Sequence, residues 1–215
     1  MQDWKNADVP KRTKAALKML EQMTLHPNDI GKDLIEDLYD SGLDVESISG
    51  AGNVGYHYNF INRIADAINF PIPQGGNVEK LAKILNLSGK LMKGRGDPTA
   101  WILSKDGLTI PPEVDIGREH LFTHTGSTDP ELRRNVDIFV QSQWAEKQAD
   151  VLNLSPVLST YMKKLALNAY KISDEDVEAM REEYFSDEMI YELTIVGANA
   201  AAIVGLEKLY AVLFS

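Results

Sequence analysis

The sequence predicts an all-α protein of about seven helices in two pseudo-repeated halves, and three observations carry that prediction. Apolar residues recur at helical spacing, as in Ile30, Leu34, Ile35 and Leu38, and caps and glycine stops bracket those segments. Period-two alternation, the mark of a half-buried strand, is almost absent. The third observation is internal. Shifted by 142 residues, the stretch from Gly42 to Phe70 overlays the C-terminal segment: Glu46 meets Glu188, Ile48 Ile190, Val54 Val196, Gly55 Gly197 and Ile61 Ile203. Upstream at the same offset, Ile30 meets Ile172, Asp33 Glu175, Ile35 Val177, Glu36 Glu178 and Leu38 Met180. A duplicated helix–turn–long-helix unit is the expected architecture.

A first helix is expected from near Pro10, whose fixed φ suits a first turn, through Ala16, Leu17, Leu20 and Met23 to His26-Pro27. Asn28 or Asp29 is expected to cap the second helix, which stops at Gly42, a natural left-handed cap. Asp44 caps the long third helix. On its helical wheel Ile48, Ala51, Val54, Gly55, Tyr58, Ile61, Ala65 and Ile68 share one broad arc, expected to be buried, with Ser49, Tyr56, Asn59 and Arg63 opposite. The segment NVEKLAKILNLSGKLMKG reads as a further helix broken at Ser88-Gly89. Residues 94–129 hold closely spaced glycines and prolines and read as irregular, with WILSKDGLTI a candidate hairpin. Thr128-Asp-Pro-Glu131 reads as a capping box that opens a helix to about Leu152, and Ser155-Pro156, Ser173 and Ser186 start three more. The organisation is thus a first half at 1–75, a connecting segment at 76–129 and a second half at 130–215, in one compact unit.

Gly50, Gly52 and Gly55 spell G-x-G-x-x-G, yet a dinucleotide site needs an apolar strand before the glycines and a second strand after them. Asp44 and Glu46 occupy the place of the first strand, and Pro71 and Pro73 break the place of the second. Only the third glycine has a glycine counterpart in the second half, which points to close backbone approach within a helix.

The formal charge of −10 from 22 Lys plus Arg against 32 Asp plus Glu argues against a nucleic-acid partner. The absence of cysteine removes thiolate metal sites and thiol redox chemistry, and fits a reducing compartment. The first residues lack an apolar signal region, and the run Leu193 to Leu206 is too short to span a bilayer. These features predict a cytoplasmic protein with no membrane partner and no cofactor.

The segments DIGKDLIEDLYDSGLDVESISGAGNVGYHYNFINRIADAINFPIP and ISDEDVEAMREEYFSDEMIYELTIVGANAAAIVGLEKLYAVL each resemble the closing part of an AhpD-like, carboxymuconolactone decarboxylase family domain. A short helix, a GLDVESI or FSDEMI cap and a long helix, bearing Asn62-Arg63 and Ala65, Asp66 and Ala67 in the first copy, carry the resemblance. It implies an all-α fold that oligomerises through helical faces, with thiol peroxidase or lactone decarboxylase chemistry in active members. The peroxidase branch uses a Cys-x-x-Cys pair; the rough counterpart here holds Gln141, Trp144 and Gln148, none of which is a peroxide nucleophile. Peroxidase activity is therefore expected to be absent. The group I 2-haloacid dehalogenases are similar in outline, with no motif tying this chain to them.

Candidate site residues rest on side-chain chemistry. Tyr56, Asn59 and Arg63 line one stripe and form a candidate clamp for a small carboxylate, against a solvated face or an Arg63-Asp66 surface pair. His57 is a candidate general base; at the 142 shift it meets Asn199, and both are expected to be buried and hydrogen-bonded. His120 and His124, beside Glu119, have metal-ligand spacing if helical, but Gly117 and Gly126 around them favour ordinary loop histidines. Two functions stay open: a cysteine-free helical oligomer that binds a small molecule, or an enzyme acting on a carboxylic or lactone substrate through His, Asp, Tyr or Arg. A homodimer is expected, with Trp101, Ile102, Leu108 and Ile110 on an arm across the neighbour.

Overall fold

In a computed structural model of the chain, the described residues are 4–70, 112–145 and 154–215, without the side chains of 112 and 113. They form eight α-helices and no strand: α1 (Lys11–Leu25), α2 (Lys32–Asp40), α3 (Val45–Ala67), α4 (Pro112–Thr123), α5 (Pro130–Ser142), α6 (Pro156–Asn168), α7 (Asp174–Glu182) and α8 (Asp187–Leu213). The all-α class holds among these residues.

Local chemistry sets most boundaries. Asp44 accepts from the Ser47 amide at 2.8 Å to open α3, and Ser155 accepts from Leu158 with Pro156 in the first turn of α6. Ser186 opens α8 in the same way, and Ser173 and Asp176 close a capping box on α7.

Helix α8 is the axis of the molecule. It is buried on every side at Leu193, Val196, Ala200, Ile203 and Leu206, with α3 laid along it and α1, α5 and α6 packed around it. By length and composition it could cross a membrane, but most of its apolar window is covered by its neighbours, the position of a core helix. Its first half packs with Met162, Leu165 and Met180. Its second half packs with Met19, Leu38 and Ile48.

The boundaries of the two ends of the chain coincide at the 142 offset. A 3-10 turn at Pro27–Asp29 falls on one at Ala169–Lys171, α2 falls on α7, and α3 and α8 start at matching positions. Both short helices end on a residue of positive φ, Gly42 at 90° and Tyr184 at 67°. The next amide then reaches back at 3.2 Å in both, Leu43 to the Leu38 carbonyl and Phe185 to that of Met180, a Schellman closure. Gly55 packs on Leu20 and Met23, and Gly197 packs on Met162 and Leu165, again matching positions.

Several expectations are corrected. The face of α3 differs from the one expected over most of its length: Ile48 is buried as expected, but Ser49, Asn53, Tyr56, Asn59 and Arg63 are buried too, whereas Val54, Tyr58, Ile61 and Ile68 are exposed by 51, 64, 55 and 47%. The cause is the partner: where α3 meets α8, Tyr56 bonds Asn199, the Tyr210 hydroxyl donates to the Ser49 carbonyl, and Gly52 lies against Leu206 and Leu209, so small or hydrogen-bonding side chains fit that contact better than branched apolar ones. Residues 112–123, expected to be irregular, form α4, anchored by buried Val114 and Phe122. Gly31, rather than Asn28 or Asp29, is the N-cap of α2. Asp129, rather than Thr128, caps α5, which ends at Ser142. The helix around Leu81, the hairpin, the arm at Trp101 to Ile110, and Gln148 lie outside the described residues.

Candidate functional site

The polar stripe of α3 faces inward. Tyr56 donates its hydroxyl to Asn199 Oδ1 at 3.1 Å, so Asn199 is buried and hydrogen-bonded as its place in an apolar helix demands. Burial pushes the Tyr56 phenol up to about 12 against the opposing field of Arg118. His57 does not share this setting. Its ring is exposed, stacks edge-on against Tyr56, and bonds through Nδ1 to the Asn53 carbonyl of its own helix at 2.9 Å. The structure brings Tyr56 and Asn199 together and leaves His57 outside.

One full turn beyond Asn59, Arg63 is only 8% exposed. Its Nε and Nη2 donate to the Ala166 carbonyl at 3.4 and 3.1 Å, and Nη1 donates to the Asn59 carbonyl at 3.3 Å. Ala166 belongs to the last turn of α6, whose carbonyls lack helical partners; Arg63 therefore caps that helix at its negative end. These carbonyls supply partial charge, and Arg63 forms no ion pair among the described residues. Burial accordingly pulls its pKa down to about 10, opposed only by the field of Asp66. A guanidinium has five N–H donors, so one remains on Nη1 and one on Nη2.

Those donors meet a groove of about 350 Å³ between the ends of α1 and α6 and the outer side of α3. Leu20, Leu25 and Leu167 wall it, and Asn59, Asn62 and Asp66 join Arg63 in lining it. The counterpart of Arg63 is Gly205, where an added Cβ would lie 2.3 Å from the Met23 carbonyl oxygen at the end of α1. Glycine there lets the helix end close down; arginine at the equivalent place holds it open.

The histidine pair belongs to a different structure. His120 and His124 stack at 5.2 Å, and His124 Nε2 lies 2.8 Å from Glu192 Oε1. Buried Arg133 donates to the same oxygen at 3.0 Å and to the His124 carbonyl at 2.9 Å. The Thr128 amide and hydroxyl donate to Glu192 Oε2 at 2.7 and 2.5 Å. Burial works to raise the Glu192 pKa, but the Thr128 bonds, His124 and Arg133 outweigh it and hold the carboxyl below its usual range. A Cβ at Gly126 would lie 1.7 Å from Glu192 Oε1, so only glycine lets the loop seat on the carboxylate. No group of three or more His, Asp or Glu among the described residues could hold a metal ion.

Sequence reasoning missed Arg133, Thr128 and Glu192, which lie up to 64 residues apart. The one available signal was Glu192 itself, a charge inside an apolar helix. A further polar group was also missed: Arg118 donates to Asp137 at 2.8 Å and stands 3.5 Å from Glu207. Desolvation and the neighbouring Asp137 and Asp115 raise the Glu207 pKa despite Arg118.

No family model, curated protein or solved structure matches the chain.

Proposed function

We propose that the chain is a cysteine-free AhpD-like helical protein, without peroxidase chemistry, that binds a small organic carboxylate at Arg63 and assembles as a homodimer. Its ends are read as copies of one helix–turn–long-helix unit, a reading supported by the coincident boundaries at the 142 offset and the paired positive-φ caps.

Buried Arg63 carries the reading of function. A buried cation bonded to carbonyls, with further donors facing a groove and, among the described residues, only the exposed Asp66 nearby as an opposite charge, is not directly paired. A carboxylate accepts two parallel N–H bonds from such a fork. The walls of Leu20, Leu25 and Leu167 suit an apolar tail on that carboxylate.

Hexanoate tests this, with hexanamide as its uncharged analogue. Hexanoate is expected to raise the melting temperature of the wild-type chain saturably and hexanamide to leave it unchanged. Arg63→Met keeps the apolar stem and should abolish the shift; Arg63→Lys, which keeps charge without the fork, should weaken binding about tenfold. An equal response to hexanamide, or undiminished binding in Arg63→Met, overturns the proposal.

A second reading is an enzyme on a carboxylic or lactone substrate, and the His124–Glu192 contact favours it. Against it stands the engagement of both Glu192 oxygens by the loop at Thr128 and by Arg133.

A further inference from the structure

Beyond the Arg63 groove, a cavity of about 600 Å³ lies between the last turn of α3 and the N-terminal ends of α7 and α8. In the first half the equivalent space is filled. There Leu209, Tyr210 and Leu213 of α8 pack with Met19, Ile35 and Ile48, and Leu209 sits so close that a Cβ on Gly52 would lie 2.5 Å from its methyl. At the 142 offset Leu209 corresponds to Ala67, the last residue of α3, whereas α8 continues to Leu213. The longer helix plugs its end, and among the described residues the shorter one leaves the other open.

The floor of the cavity has also changed chemistry. Where the first half has Met19 and Gly52, the second has Tyr161 and Thr194, both buried and both lining the cavity. The Thr194 hydroxyl donates to the Ile190 carbonyl at 2.7 Å, so in their 2.8 Å contact Tyr161 is the donor and Thr194 the acceptor. The phenol oxygen of Tyr161 is left as an acceptor in an otherwise apolar floor. A water could satisfy it, and so could a ligand donor.

Charge decides between ligand classes. Asp174, Glu175 and Asp187 stand at the rim, and among the described residues no Lys, Arg or His lines the cavity. Arg181 bonds Asp187 at 2.8 Å from outside the lining, which leaves Asp174 and Glu175. The N-terminal ends of α7 and α8 offset this by roughly half a charge each. The field at the mouth thus remains negative, and a carboxylate is repelled.

We propose that this cavity binds a small organic primary ammonium, its apolar body against Ile172, Val177 and Ile190 and its charged head toward Asp174 and Glu175. The site is separate from the Arg63 groove, and the two proposals fail independently.

Titration of the full chain, carbon-13 labelled at isoleucine methyls, with n-butylammonium tests it, with 1-butanol as the uncharged analogue. The methyls of Ile172 and Ile190 are expected to shift saturably in the millimolar range, with Ile203 in the other core cluster unmoved. The double variant Asp174→Asn, Glu175→Gln keeps the Ser173–Asp176 capping box and should bind at least tenfold more weakly, as should 1-butanol to the wild type. Absence of saturable shifts, an equal response to 1-butanol, or unchanged binding in the double variant overturns the proposal.

Discussion

Tyr56 donates a hydrogen bond from its hydroxyl to Asn199 Oδ1 at 3.1 Å across the α3–α8 contact, although the two are not counterparts at the 142 offset. The polar group of one half is satisfied by a different position of the other, so the bond fixes how the long helices sit against each other. Tyr56→Phe leaves the Asn199 carbonyl buried without that donor and is expected to cost about 1–2 kcal/mol. Urea denaturation checks it; an unchanged midpoint and slope would show the bond to be energetically idle.

The caps at Asp44, Ser155, Ser173 and Ser186 were legible because each acts within three residues of itself, whereas the caps at Gly31 and Asp129 and the helix Pro112–Thr123 were not. Nor was the inward face of α3. A wheel counts apolar residues and places Ile61 inside, but α8 brings Asn199 to Tyr56 and the Tyr210 hydroxyl to the Ser49 carbonyl, a pairing that only the tertiary contact reveals. The same limit hid the Arg63 site. Its stripe of Tyr56, Asn59 and Arg63 was readable, whereas the Ala166 carbonyl it caps lies 103 residues away. His57 sits at one edge of the apolar arc, and once that arc faces outward the imidazole goes with it.

Acid should loosen the loop at Thr128 before it reaches the helices. Glu192 has a folded pKa below its ordinary 4.5, so its contribution is complete above about pH 4.5 and is lost as pH falls through the folded value. Thr128→Val removes the hydroxyl donor and should cost roughly 1–3 kcal/mol near pH 7. The gap between variant and wild type should narrow as pH falls toward 3. A gap that stays constant from pH 7 to 3 would remove Glu192 as its source.

Gly205 marks the closest approach of a helix to another helix's backbone among the described glycines. An alanine Cβ would meet the Met23 carbonyl oxygen at 2.3 Å, and backbone cannot swing aside as a side-chain end can. Gly205→Ala is expected to destabilise by about 3 kcal/mol or more. Gly31→Ala, with nothing within 4 Å of the new methyl, serves as the matched control. Calorimetry showing equal melting temperatures for the two variants would contradict the close approach.

On the side of α3 that faces away from the core, Val54, Tyr58, Ile61 and Ile68 recur at helical spacing and are each about half exposed or more, a continuous stripe of the kind that marks an interface. A second copy of the chain is the partner proposed, and twofold pairing of this stripe would bury it on both copies at once. Light scattering should then give about twice the chain mass of 23.9 kDa at micromolar concentration. Ile61→Lys places a charge at the centre of the stripe without touching the α3–α8 contact, and should return the mass to that of one chain while leaving the melting of the monomer little changed. A monomer mass for the wild type rejects the dimer. A dimer that survives Ile61→Lys moves the interface to another face.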